Sequence, residues 1–227
     1  MTPANGPRAT QPIFNLPPVV TALAAGILAI HAIRVWGLSP RADVWVLETF
    51  AFRPWHYLDR IWTWVTYALL HADWTHALVN VVWMAAFASP LAVRFGPARF
   101  LVFSVVGALA GTLAHLAFNW GGDTYLVGAS AMVAAHMGGT SRFAFAGGGL
   151  RMSRLPHAHF RPAPPLAVTL RNRSVLYFLG IWIAFNLLIG LVSIGGRGPG
   201  IAWEAHIGGL LAGLLLFPRF DPVSRPR

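Results

Sequence analysis

Apolar residues run along this chain in six long blocks, at about 18–38, 72–92, 98–119, 127–148, 174–194 and 203–218. Each block is close to the ~20 residues with which a helix crosses the hydrocarbon core of a bilayer. None alternates apolar with polar residues, which argues against barrel strands. Helices satisfy their own backbone groups, as a membrane interior demands. The pattern therefore predicts an all-α membrane protein, a bundle of six transmembrane helices. The fourth and sixth blocks are rich in Gly and Ala and are expected to be short. Polar stretches separate the blocks. Residues 1–17 form a tail, 39–70 a charged and Trp-rich outer loop, 149–173 a basic, Pro-rich inner loop, and 219–227 a second tail. Residues 18–218 read as one membrane domain.

Charge sets the expected orientation. With the N-terminus in the cytoplasm, the inner segments hold Arg8, Arg94, Arg99, Arg142, Arg151, Arg154, Arg161, Arg171, Arg173, Arg219, Arg225 and Arg227. The outer segments keep Arg34, Arg41, Arg53, Arg60 and Arg197, and every acid except Asp221. Basic residues concentrate on cytoplasmic loops, so both termini are expected to be cytoplasmic. The net charge of +10 is thereby read as a topology signal. A lipid bilayer is the expected surrounding, and no nucleic-acid partner is expected.

Composition agrees. Only 11% of the 227 residues are charged, against roughly 25% in a soluble domain, and the mean hydropathy is +0.58. There is no cysteine, so thiol nucleophiles, disulfides and zinc–thiolate sites are excluded. The N-terminal stretch lacks the features of a cleaved signal peptide. A multi-pass protein of the bacterial inner membrane is the expected setting.

Three polar clusters lie at membrane depth, where polar groups are costly and tend to mark function. The first is "HADWTHALVN", residues 71–80, in which His76 and Asn80 share one helix face. His71 reads as an interfacial residue near water. The second is "GASA", with Ser130 at a helix start, where first-turn N–H groups lack internal partners and carry positive partial charge. Gly128 would let the chain turn there. The third is "EAHIGGLLAGL", with His206 at the start of the sixth block and Ala205, Gly209 and Gly213 forming a small-residue stripe. Ala131, Ala135 and Gly139 form a matching stripe on the fourth. The second, fourth and sixth helices all begin on the outer side, so His76, Asn80, Ser130 and His206 fall at one depth. Serine with histidine is a nucleophile and base pair. Asp73 and Glu204 read as surface acids, so a Ser–His dyad is expected without a third member.

At these residues the chain resembles the rhomboid family of intramembrane serine proteases, from about residue 60 to 218. "HADWTHALVN" is similar to the family's His-rich start of helix two, "GASA" to its serine motif GxSG, and "AHIGG" to its histidine motif AHxxG. The resemblance implies a rhomboid-like six-helix bundle with a cavity open to the outside. It implies Ser130 as nucleophile and His206 as general base and acid. His76, Asn80 and the Ser130 backbone N–H would bind the oxyanion. The implied reaction is hydrolysis of a peptide bond in or near a transmembrane segment of a membrane-protein substrate, through an acyl-enzyme. No cofactor and no metal are implied. The chain departs from the family pattern at four places. Ala131 replaces the glycine after the serine and is expected to crowd the contact of the fourth and sixth helices. Ala134 or Ala135 stands where an aromatic usually stacks on the catalytic His. A Trp–Arg pair reads Trp62–Thr63. Ala92 replaces a glutamate, leaving Arg94 without that partner.

Other readings compete. An inactive relative that binds membrane proteins would usually have lost the serine or the histidine, and both are kept. A transporter or proton channel using His31, His76, His115, His136 and His206 lacks an inverted repeat and carboxylate partners. A metal site at His71 and His76 has the wrong spacing. The sequence gives no sign of oligomeric state, and His136 reads as an interior polar group.

Overall fold

The computed structural model describes residues 16–145, 160–194 and 200–223. Most of the tail 1–17, the first part of the 149–173 loop with His157 and His159, residues 195–199 with Arg197, and residues 224–227 lie outside it. Every regular element among the described residues is helical: α1 (Pro18–Ala32), α2 (Pro40–Phe50), α3 (Thr63–Thr66), α4 (Trp74–Phe95), α5 (Pro97–Phe118), α6 (Ser130–Ala144), α7 (Leu166–Thr169), α8 (Arg173–Ile194) and α9 (Trp203–Phe220). A π-helical turn, Ile33–Gly37, extends α1. The expected helices thus appear within a few residues of their blocks.

Local chemistry sets the boundaries. Asp73 caps α4 by accepting from the His76 N–H at 2.8 Å. Gly96, at φ 76°, ends α4 and Pro97 opens α5, giving a one-residue connection. Ser39 caps α2 with Pro40 behind it.

Among the described residues, four helices are long and apolar enough to cross a membrane: Pro18–Gly37, Trp74–Phe95, Pro97–Phe118 and Arg173–Leu191. The 15-residue α6 is about 22 Å long at about 1.5 Å per residue, against a hydrocarbon core of ~30 Å. It is short because it is the centre: every residue from Ala131 to Ala144 is buried. It needs small residues rather than a lipid-facing apolar coat. α9, α5 and α4 pack around it, while α8 lies outside against Ala134, Met137, Phe145 and Leu210.

The α6–α9 contact is a backbone approach, as the small-residue stripes predict. A Cβ added to Gly209 or Gly213 would overlap the carbonyls of Ala131 and Ala135. One stripe residue differs from expectation. Gly139 faces Phe103 and Leu91, and it is Gly138 that meets α9 at the Leu210 carbonyl. The end of the bundle at the α4–α5 turn is locked by Arg94, whose Nε and Nη2 each donate to the Asp221 carboxylate at 2.8 Å. Arg94 therefore has a carboxylate after all, supplied from beyond α9 rather than from position 92. The described part of the 149–173 loop is tied to the bundle too: Arg94 donates to the Arg161 carbonyl, Arg142 to the Pro164 carbonyl and Asn172 to the Phe145 carbonyl.

Within the 39–70 segment, the stretch after α2 is stapled back onto the end of that helix. Trp62 Nε1 donates to the Thr49 carbonyl at 2.8 Å, and Arg60 donates to the Glu48 carbonyl. Where the resemblance pairs Trp with Arg at adjacent positions, this chain sets Arg60 and Trp62 two positions apart. Both side chains serve the last carbonyls of a helix, which lack internal donors.

Candidate active site

Ser130 is the first helical residue of α6 and His206 stands in the first turn of α9. The close approach of those helices brings His206 Nε2 to 2.7 Å from Ser130 Oγ. Both residues are partly exposed.

The segment before the serine is held from three directions. The Gly128 N–H donates to the Tyr67 carbonyl at 3.0 Å. The Ala129 N–H donates to His71 Nε2 at 3.3 Å. Gly128 itself has φ 113°, in the region that disfavours a side chain. The His76 ring rests against it, and a Cβ there would lie 2.6 Å from His76 Nε2. Gly128 thus serves both the turn and the approach of His76. His71 corrects the expectation of a water-exposed interfacial group. It is fully buried and supports the loop that carries the serine.

Asn80 is buried on the same helix face as His76, as the spacing predicts. Its Nδ2 donates to the His76 carbonyl at 2.9 Å, and no hydrogen bond joins it to Ser130 or His206. The sequence-predicted set is therefore gathered in part. Ser130 and His206 are in direct contact, Gly128 and His76 are adjacent, and Asn80 is one helical turn below His76. Gly209 and Gly213 do their work in the α6–α9 contact.

Two expectations fail here for one reason, the direction of a side chain. The Ala131 methyl does not enter the α6–α9 contact. It points to α5, into space left by Gly111, whose own added Cβ would overlap it. Glu204 is not a surface acid. It is 6% exposed, and its Oε1 accepts from His115 Nδ1 at 2.7 Å and Asn119 Nδ2 at 3.0 Å. This ties the start of α9, two residues before His206, to the end of α5.

Sequence reasoning missed two residues on α8. Asn186 Oδ1 lies 2.6 Å from His206 Nδ1. The Trp182 ring lies 6.2 Å from the His206 ring. The aromatic neighbour of His206 thus comes from α8, while Ala134 on α6 is buried against other helices. A single Asn among apolar residues at 174–194 was the only signal available. Among the described residues, no group of three or more His, Asp or Glu side chains is arranged to hold a metal ion.

A family model for the Rhomboid domain matches residues 58–220. The chain belongs to the rhomboid family. Among curated relatives, the protein named Rhomboid protease GlpG of Pectobacterium atrosepticum is 31% identical over 160 residues, covering 69% of this chain and 48% of that protein. Its namesake in Yersinia enterocolitica is 30% identical over 160 residues, covering 69% and 47%. That of Yersinia pestis is 29% identical over 157 residues, with the same coverage. The chain thus spans about half the length of the curated relatives it matches. These bacterial rhomboid relatives and the apolar helices agree with a multi-pass integral membrane protein of the bacterial inner membrane.

Proposed function

We propose that this rhomboid is an active intramembrane serine endopeptidase, with Ser130 as nucleophile and His206 as general base and then general acid. The observation that carries the reading is the 2.7 Å contact of Ser130 Oγ and His206 Nε2. His206 Nε2 takes the Ser130 Oγ proton as the oxygen attacks the scissile carbonyl carbon. The proton then passes to the leaving amine, and water hydrolyses the resulting acyl-enzyme by the same relay in reverse. The Ser130 N–H, at the start of α6, and the His76 ring over Gly128 are the donors nearest to a developing oxyanion. Asn80 donates one Nδ2 hydrogen to the His76 carbonyl and has a second with which to join them. The substrate is a transmembrane protein cut in or near its membrane segment, and no cofactor takes part.

The same proposal holds residues 18–218 as one six-helix domain with cytoplasmic termini, in which α6 and α9 complete the bundle begun by the four longer spans. The inactive alternative drew on Ala131. Its methyl lies against Gly111, and this placement supports the active reading.

Labelling with a fluorophosphonate probe in mild detergent tests the proposal without a substrate. Wild type is expected to label, and Ser130→Ala and His206→Ala are expected not to, with all three folded by thermal melt. A folded wild type that stays unlabelled would overturn the dyad.

A further inference from the structure

Asn186 sits on the far side of the His206 ring from Ser130. We infer that Asn186 is a positioning residue, which holds His206 in the tautomer with its proton on Nδ1 and so leaves Nε2 free for the serine proton. The inference rests on the dyad reading and adds a third member to it.

The hydrogen-bond partners fix the direction of each proton. Asn186 Nδ2 lies 2.8 Å from the Trp182 carbonyl oxygen, one turn back on α8. A carbonyl oxygen only accepts, so the amide nitrogen must face it. Turning the amide over would set two oxygens against each other at that distance. Asn186 Oδ1 therefore faces His206 Nδ1, at 2.6 Å. An amide oxygen also only accepts, so Nδ1 carries the hydrogen. A neutral imidazole protonated at Nδ1 has a bare lone pair at Nε2. That lone pair meets Ser130 Oγ at 2.7 Å, and the serine hydroxyl donates to it.

The bland reading is that Asn186 merely satisfies itself on its own helix. The bond to the Trp182 carbonyl would be enough for that. It leaves unexplained why the amide oxygen, which α8 does not need, meets the one ring nitrogen that the serine does not use. Asn186 is also buried, at 6% exposure, on a helix whose other residues between Ser174 and Ser193 are apolar, aromatic or glycine. A polar group there is costly unless bonded. Its neighbour one turn away, Trp182, places its ring beside the same histidine. One face of α8 thus supplies both supports of His206.

An amide suits this position. A buried carboxylate would need a compensating charge in a low-dielectric surrounding, and no cation is bonded to Asn186. The amide orients the ring without burying a charge. In the reaction it takes up no proton. Ser130 gives its proton to Nε2, the Nδ1 proton stays on Nδ1, and Oδ1 continues to accept from it.

The test compares labelling by the fluorophosphonate probe in the whole chain, wild type against Asn186→Leu and Asn186→Ala. Leucine keeps the size and removes the acceptor. The maximal labelling rate is expected to fall roughly 10- to 100-fold in both variants, as loss of an orienting hydrogen bond implies. The half-saturating probe concentration should stay near that of wild type. Equal maximal rates in wild type and Asn186→Leu would overturn the role of Asn186 and leave the dyad standing. An unlabelled wild type would instead overturn the dyad. A second measurement needs no variant of Asn186 to fold. Nitrogen-15 spectra of histidine-labelled wild type, with the His206 signals identified by their loss in His206→Ala, should show the proton on Nδ1. A proton on Nε2 would overturn the inference.

Discussion

Ala131 and Gly111 form a testable pair, because one methyl occupies the space that the other residue lacks. A Cβ on Gly111 would overlap the Ala131 Cβ and come within 3.0 Å of Tyr67 Oη and 3.2 Å of the Ala205 carbonyl. Ala131→Gly removes one buried methyl, worth ~0.8 kcal/mol, and introduces a helical glycine, worth up to ~1 kcal/mol. It should destabilise by about 2 kcal/mol in all. Gly111→Ala gains about 1 kcal/mol of helix propensity but overpacks the contact at a cost of ~1–3 kcal/mol, a net loss of about 1 kcal/mol. The double variant moves the methyl from α6 to α5. Its methyl and glycine counts equal those of wild type, so its stability should lie within about 1 kcal/mol of wild type, and the two changes should couple by about 2 kcal/mol. Equilibrium unfolding of all four proteins in one mild detergent measures the cycle, and the fluorophosphonate labelling rate reports whether Ser130 keeps its place. Where the unfolded chain stays in lipid or detergent, the methyl counts through packing rather than water exclusion, which shrinks the coupling without changing its sign. Additive single effects, to within about 0.5 kcal/mol, would show that the Ala131 methyl does not occupy the space at Gly111.

Gly128→Ala should act on the site more than on the bundle. It combines a φ of 113° with a Cβ set 2.6 Å from His76 Nε2, so labelling of Ser130 should fall at least about tenfold for ~1–3 kcal/mol of local strain, with helix content by circular dichroism unchanged; labelling at the wild-type rate would refute this. Asp221→Asn should do the reverse. It breaks a two-bond pair with an Arg94 side chain that has no exposure, so the unfolding midpoint should drop by the equivalent of about 3 kcal/mol, while the labelling rate of the folded protein holds; an unchanged midpoint would show that Arg94 finds equal partners elsewhere.

The sequence was most legible where chemistry and spacing coincide. Ser130, His206 and His76 could be found because each stands in the first turn of its helix, Gly128 because it precedes the serine by two, and the small-residue stripes foretold that α6 and α9 would meet backbone to backbone. What stayed hidden was partner choice. Position 131 carries a methyl whose direction depends on the rotation of α6, and only the fold shows it facing Gly111. Glu204 looked solvated because it precedes the helix motif, yet it pairs with His115 across 89 residues. Arg94 finds Asp221 across 127 residues, and no local pattern encodes such a pairing. Asn186 escaped because one polar residue in an apolar helix carries no periodic signal.

Those hidden partners sharpen the rule that polar groups at membrane depth mark function. Most of the buried polar side chains in this bundle are locks. Thr140 donates to the Phe87 carbonyl, Arg142 to the Leu214 carbonyl, Ser104 and His136 bond to each other, and His115 and Asn119 share Glu204. Each lock joins two helices and satisfies groups that would otherwise lie unpaired in an apolar interior. Ser130 and His206 also join two helices, but unlike those buried side chains both are partly exposed. Their contact runs on through His206 to Asn186 and the Trp182 carbonyl. A lock needs only to be closed. A dyad must give up and recover a proton without losing its geometry, and for that the ring must be held from the side that the serine does not touch.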